Sequence, residues 1–176
     1  MAEKRTVVLS FLGGPGVGKS TLAALIFAEL KLVRTSCEFV PEYAKELAWA
    51  GMLGTSTKQR SAQSSILTEQ LRRLRVLNGR VDVLVQDTCV LLPAIYGDAD
   101  PVRTVQEFTS FQNVLVFVDR VIEYDPEGRR ANKQSAEAMD VKILETLNTL
   151  GLEPLHAHPT REDAQRILGV VLALLL

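Results

Sequence analysis

The stretch Gly13-Gly-Pro-Gly-Val-Gly-Lys-Ser20 constrains this chain more than any other. It has the spacing Gly-x-x-x-x-Gly-Lys-Ser and follows directly on the mostly apolar run from Thr6 to Leu12. Glycines so spaced let successive backbone N–H groups turn inward around an anion, and a helix beginning at Lys19 adds its positive amino end. The motif therefore predicts a strand, a phosphate-binding loop and a helix in immediate succession. In that arrangement Lys19 reaches the β- and γ-phosphates of a nucleoside triphosphate, and the Ser20 hydroxyl ligates Mg2+. The expected cradle for ATP is the run Gly13, Gly14, Pro15, Gly16, Val17, Gly18, Lys19, Ser20 and Thr21.

The rest of the chain alternates strand and helix. Strands are predicted over residues 7–12, 37–40, 81–86, 114–118 and 154–156. Helices are predicted over 19–31, 42–50, 57–78, 102–110 and 135–150, with Gly51, Gly79 and Gly151 as stops. A last helix starts at Thr160-x-x-Asp163. Such alternation predicts an α/β fold: one domain over residues 1–176, a five-stranded, mainly parallel sheet covered by helices on both faces. A chain of 176 residues is long enough for one sizeable core, and 47% hydrophobic with 23% charged residues is an ordinary globular composition.

The formal net charge of -1 excludes a molecule attracted as a whole to nucleic acid, though not a local patch. Cys37 and Cys89 cannot make a disulfide framework, which fits a reducing compartment. The amino end has no signal-peptide core, and the longest apolar run, 167–176, is about half of a membrane span. A cytoplasmic protein without a membrane partner is expected.

Three fates are open to a phosphate held by such a loop. A GTPase needs a guanine-reading Asn-Lys-x-Asp, and Asn132-Lys133-Gln134-Ser135 lacks the Asp. A motor ATPase ends its third strand in Asp-Glu, whereas here it ends Gln86-Asp87-Thr88. A kinase needs an acidic group near an acceptor hydroxyl and arginines that close over the transferring group. Glu42, after the second strand, is placed to take the hydroxyl proton; as a first-turn acid it would instead serve the helix dipole. Asp87, ending the third strand, is placed to hold Mg2+ or to be the base itself, or else to cap a helix. The sequence leaves the two roles open and leans to Glu42 as base. Arg120, Arg129 and Arg130 flank the turn Asp125-Pro-Glu-Gly128, in a segment about 119–133 where a closing lid belongs.

The loop together with "PEYAKELAW", "VDVLVQDTCVLLPAIYGD" and "VFVDRVIEYDPEGRR" resembles the bacteriophage P-loop kinases. More distantly, "EYAKE" and "QDT" are similar to ribosylnicotinamide kinase domains. The resemblance spans nearly the whole chain. It implies a P-loop NTPase of the nucleoside-monophosphate-kinase-like three-layer form, with ATP on Gly13 to Thr21 and Asp87 near magnesium. Some members of the phage group phosphorylate 5-hydroxymethyluracil in DNA, a step toward hypermodified thymidine, and this is the preferred acceptor. A nucleoside, nucleotide or ribosylnicotinamide-like small molecule is the alternative acceptor. The alternative of another class is an ATP-dependent switch or interaction module.

A DNA acceptor would need a cationic track, and Arg60, Arg72, Arg73, Arg75 and Arg80 cluster in and after the long helix. They could equally be a solvated helix face. Tyr43 and Trp49 flank Glu42 closely enough to be stacking partners for a base. His156 and His158 lack the partners of a metal site, and nothing marks Cys89 as reactive. The closing "ILGVVLALLL" reads as a core helix that also permits a homodimer contact.

Overall fold

A computed structural model describes residues 5–53, 62–120 and 133–176. Its centre is β1, Val7–Leu12, buried at every position. Alternation along a strand divides those side chains between two cores. Val8 and Leu12 enter one hydrophobic cluster, and Val7, Leu9 and Phe11 enter the other. β1 lies between β3, Val83–Gln86, and β4, Gln112–Val118; β2, Cys37–Val40, and β5, Leu155–Ala157, form the edges. The order is β2-β3-β1-β4-β5, and every pairing is parallel, with Val7 opposite both Val83 and Gln112.

Helices cover both faces. On one side α1, Lys19–Leu32, buries Leu22, Ala23, Ile26 and Leu30. It packs beside the last helix, α7, Arg161–Ala173, which buries Ala164, Ile167 and Val171. The other side is covered by α3, Gln63–Leu77, α4, Leu92–Tyr96, α5, Pro101–Thr109, and α6, Lys133–Thr149. The short α2, Tyr43–Trp49, buries no residue fully. The three-layer α/β fold expected from the sequence is therefore the observed one.

Local chemistry explains several boundaries. Asp100 caps α5 by accepting from Val102 N and Arg103 N, with Pro101 in the first turn, where no N–H is needed. Thr160 caps α7 by accepting from Asp163 N, as its motif predicts. Within the described residues α3 starts at Gln63, with Ala62 in a turn before it, and the expected helical stretch from residue 57 to 61 lies outside them. α4 was not expected, because a single turn is too short to show periodicity. At the carboxyl end Ile167 and Val171 are core residues, while Leu174 and Leu176 are exposed. No helix among the described residues is long and apolar enough to cross a membrane.

Bonds beyond the ladders align the strand ends. Phe11 N donates to Thr88 O, Asp87 N to Val40 O, and Asp119 N to Ala157 O. The loops after all five strands therefore meet at one edge of the sheet, where ligands of open parallel sheets bind.

Candidate active site

The glycine loop sits between central β1 and α1. Lys19 Nζ donates to Gly13 O at 2.8 Å and to Gly14 O at 2.9 Å, so its ammonium is folded over the loop. Gly18 has φ 95° and stands at the amino end of α1. A Cβ there would lie 2.7 Å from the ring of Pro159, in the loop after β5, so only glycine satisfies both the backbone and the neighbour. Burial pushes the Lys19 ammonium down, while the carboxylates Glu42, Asp87 and Asp140 push it back up.

Asp87 is buried at the end of β3, where the Ser20 hydroxyl bears on its carboxyl, and its Oδ1 is buried without a hydrogen-bond partner. It caps no helix, since α4 starts only at Leu92 with Leu91 as its N-cap. A buried carboxylate oxygen left free beside a serine hydroxyl fits a hard cation, so Ser20 and Asp87 are the residues that would hold Mg2+. No cluster of three His, Cys, Asp or Glu side chains among the described residues could hold a metal. Such a cation would therefore complete its shell with phosphate and water. Desolvation raises the Asp87 carboxyl above its usual range, opposed by Ser20, Lys45 and Lys19.

Glu42 is the N-cap residue of α2, but its carboxylate makes no capping bond. The side chain stands at the amino end of α2, where the helix dipole acts on it, without being tied to the helix by a capping bond. Burial raises its carboxyl, the Lys19 ammonium lowers it, and Asp87 raises it again. Gln70 of α3, itself buried, fixes the backbone on both sides: Tyr43 N donates to its Oε1 at 3.2 Å, and its Nε2 donates to Pro41 O at 3.4 Å.

Arg120 follows β4. Its Nη1 donates to Pro15 O at 3.1 Å and its Nε to Asp140 Oδ2 at 2.8 Å. Arg129 and Arg130, with most of the expected lid, lie outside the described residues, as does Arg60. Sequence reasoning missed Lys45, Gln70 and Asp140, and Tyr96, one of the aromatics the sequence offers for stacking or core packing, also bears on the site. Lys45 bears on both Glu42 and Asp87. The half-buried phenol of Tyr96 is pushed up, mainly by desolvation and then by Glu42 and Asp140. Lys45 alone had a signal, one turn beyond Glu42 in the same short helix. Gln70 and Asp140 come from α3 and α6, whose patterns read only as packing.

The arginines of α3 are committed to carboxylates. Arg73 makes a bidentate pair with Glu46 at 2.6 and 2.7 Å and also bonds Glu69 at 3.0 Å. Arg72 bonds Glu69, whose carboxyl the two arginines hold down to about 2. Arg75 pairs with Glu107. Arg73 also lies 4.9 Å from the centroid of the Tyr43 ring, so one face of that ring is occupied, whereas Trp49 is 85% exposed. His156 pairs with Asp119, and His158 lies by Asp163. Cys89 is buried, its thiol pushed up to about 12, which makes it inert at neutral pH.

A parallel five-stranded sheet with a glycine loop after its central strand, and acidic groups at the next two strand ends, defines the P-loop class of α/β proteins. Within that class the chain belongs to the AAA domain family, whose model matches residues 8–164. No curated protein matches it in sequence. Among solved structures it is similar to deoxyadenosine kinase from M. mycoides, with TM-score 0.59 and 15% identity over 97% of this chain and 98% of that one. It is also similar to the Mycobacterium tuberculosis APS kinase CysC in complex with AMPPNP and APS, with TM-score 0.55 and 17% identity over 96% and 98% of the two chains. The protein APE1195 gives TM-score 0.53 and 19% identity over 99% and 98%. Identities this low establish the shared fold.

Proposed function

We propose that this chain is an ATP-dependent phosphotransferase that moves the γ-phosphoryl group of ATP to an acceptor hydroxyl. The observation that carries this reading is that two carboxylates, Glu42 without a capping bond and Asp87 with a buried oxygen left unpartnered, both bear on the Lys19 ammonium. Magnesium, when bound, would neutralise phosphate charge and orient the β- and γ-oxygens. Glu42 takes the acceptor proton as its oxygen forms the new P–O bond, and ADP leaves with the electrons of the broken one. Lys19 and Arg120 face the negative charge that spreads over the moving group, and Arg129 and Arg130 would close over it.

The proposed acceptor is the 5-hydroxymethyl group of 5-hydroxymethyluracil in phage DNA, a reading supported by the resemblance of the motifs to phage kinases. A free nucleoside or nucleotide is the second reading, and one observation favours it. Arg72, Arg73 and Arg75 are paired with Glu69, Glu46 and Glu107, so most of the expected DNA track carries its own counter-ions. The names of the two similar kinases also fit nucleoside-type acceptors. The test is transfer from γ-labelled ATP to 5-hydroxymethyluracil DNA, to thymine DNA and to a panel of nucleosides and nucleotides. Label in the modified DNA alone supports the first acceptor, and label in a free nucleoside supports the second. ATP turnover with no labelled acceptor would overturn the kinase reading in favour of an ATP-driven switch. Lys19→Ala should lower transfer by on the order of 100-fold or more, measured as kcat/KM.

A further inference from the structure

Asp140 lies in α6, 126 residues beyond Gly14 and 20 beyond Arg120, and no motif marks it. Its one carboxylate nevertheless joins two parts of the nucleotide site. Oδ1 accepts from Gly14 N at 2.5 Å, and Oδ2 accepts from Arg120 Nε at 2.8 Å. Arg120 closes the circuit by donating from Nη1 to Pro15 O at 3.1 Å. Both side chains are largely buried, with 13% and 14% of their surface exposed.

Gly14 shows how tightly this joint is built. A Cβ on it would lie 2.6 Å from Ala136 O, 2.7 Å from Asp140 Oδ1 and 3.0 Å from Arg120 Nη2. The backbone of α6 thus rests directly on the loop, and the missing side chain makes room for the carboxylate and the guanidinium together. The guanidinium is a planar fork, so fixing Nε and Nη1 fixes the direction of Nη2 as well. That nitrogen is buried and has no acceptor among the described residues. A buried donor without a partner is rare in a folded chain and calls for an acceptor supplied from outside. Beside a loop built to hold phosphate, the fitting acceptor is an anionic oxygen.

We propose that Asp140 is a positioning residue that locks Arg120 and the Gly14–Pro15 turn into one rigid anion-binding unit, with Arg120 Nη2 held for a phosphate oxygen of the bound nucleotide. The inference rests on the nucleotide-binding part of the reading above and not on phosphoryl transfer. Its test is therefore direct binding of Mg·ATP to the purified full chain by calorimetry, which stands even if no acceptor is ever phosphorylated.

Asp140→Asn keeps the shape but loses the charge and one of the two acceptor oxygens. It should weaken ATP at least 10-fold in a chain that is still folded, although the lost buried ion pair lowers its melting temperature. Asp140→Glu, which keeps the charge, should recover part of that loss. Arg120→Lys, which keeps the charge but not the fork, should alone weaken ATP at least 10-fold. Adding Asp140→Asn to it should cost less than a further 2-fold, because both act through one group. Wild-type ATP affinity in Asp140→Asn or in Arg120→Lys overturns the proposal. Losses that multiply in the double variant overturn it too, since they would give Asp140 a role independent of Arg120. Should Asp140→Asn not fold, Arg120→Lys still decides the matter.

Discussion

Glu42 carries a conflict that a structural residue would not: its carboxyl is desolvated, next to a second carboxylate, and makes no capping bond. Proton affinity raised in this way suits a group that must take a proton at neutral pH. The rate of transfer should rise with pH through a pKa above the ordinary glutamate value, and Glu42→Gln should lose that limb while keeping ATP affinity, read from a pH profile of kcat/KM. The stability sign follows from linkage. A carboxyl raised in the folded state binds more protons there than in the unfolded chain. Its stabilising contribution is therefore complete at low pH and is lost as pH rises through the folded pKa. The melting temperature of Glu42→Gln should thus gain on wild type as pH rises from the ordinary glutamate value through the raised folded one, a trade of stability against function. Gly18 is constrained by shape instead. Gly18→Ala places a side chain at φ 95° and 2.7 Å from Pro159. The left-handed backbone alone costs on the order of 1–2 kcal/mol. Denaturant unfolding should show that loss, and ATP binding should fall with the distorted loop.

At the scale of elements, α2 holds the proposed base yet has no buried residue to anchor it. Polar ties to α3 take the place of a core: the Gln70 bonds around Glu42, the Arg73–Glu46 pair, and the Arg73 cation over Tyr43. Of these the buried Gln70 matters most, because exposed ion pairs contribute only about 0–1 kcal/mol. Gln70→Leu keeps the packing volume of α3 but leaves Tyr43 N and Pro41 O without their partner. It should lower kcat several-fold with the ATP Kd unchanged, and amide exchange in α2 should quicken while β1 stays protected. The pairing of Arg72, Arg73 and Arg75 with Glu69, Glu46 and Glu107 also argues against reading this arginine-rich run as a cationic track. Charge counted along a sequence does not show which residues across the fold neutralise it.

The whole molecule is two hydrophobic layers on either side of one sheet, with the site along the sheet's carboxyl edge. Leu71 and Leu30 are fully buried in opposite layers. Leu71→Ala and Leu30→Ala should each cost about 2–5 kcal/mol, and the pair should add to within about 0.5 kcal/mol in urea unfolding, since the layers share no contact at these positions. Alternating apolar runs, glycine stops and the loop motif made the strand and helix order, the parallel sheet and the cradle from Gly13 to Thr21 legible in the sequence, because each depends on residues close along the chain. Glu42 and Asp87 were legible too, as the first acids after their strands. Their freedom from capping was not, because it depends on where neighbouring helices begin. Asp140 and Gln70 had no local sign, and they reach the site only because α6 and α3 fold over one sheet edge. What the residue order fixed unaided is a glycine loop of phosphate-binding form between the first strand and the first helix, since backbone conformation and helix start are set within about ten residues. Only the tertiary structure decided which buried donors and acceptors remain unpaired there, since burial and pairing are settled between residues far apart in the chain.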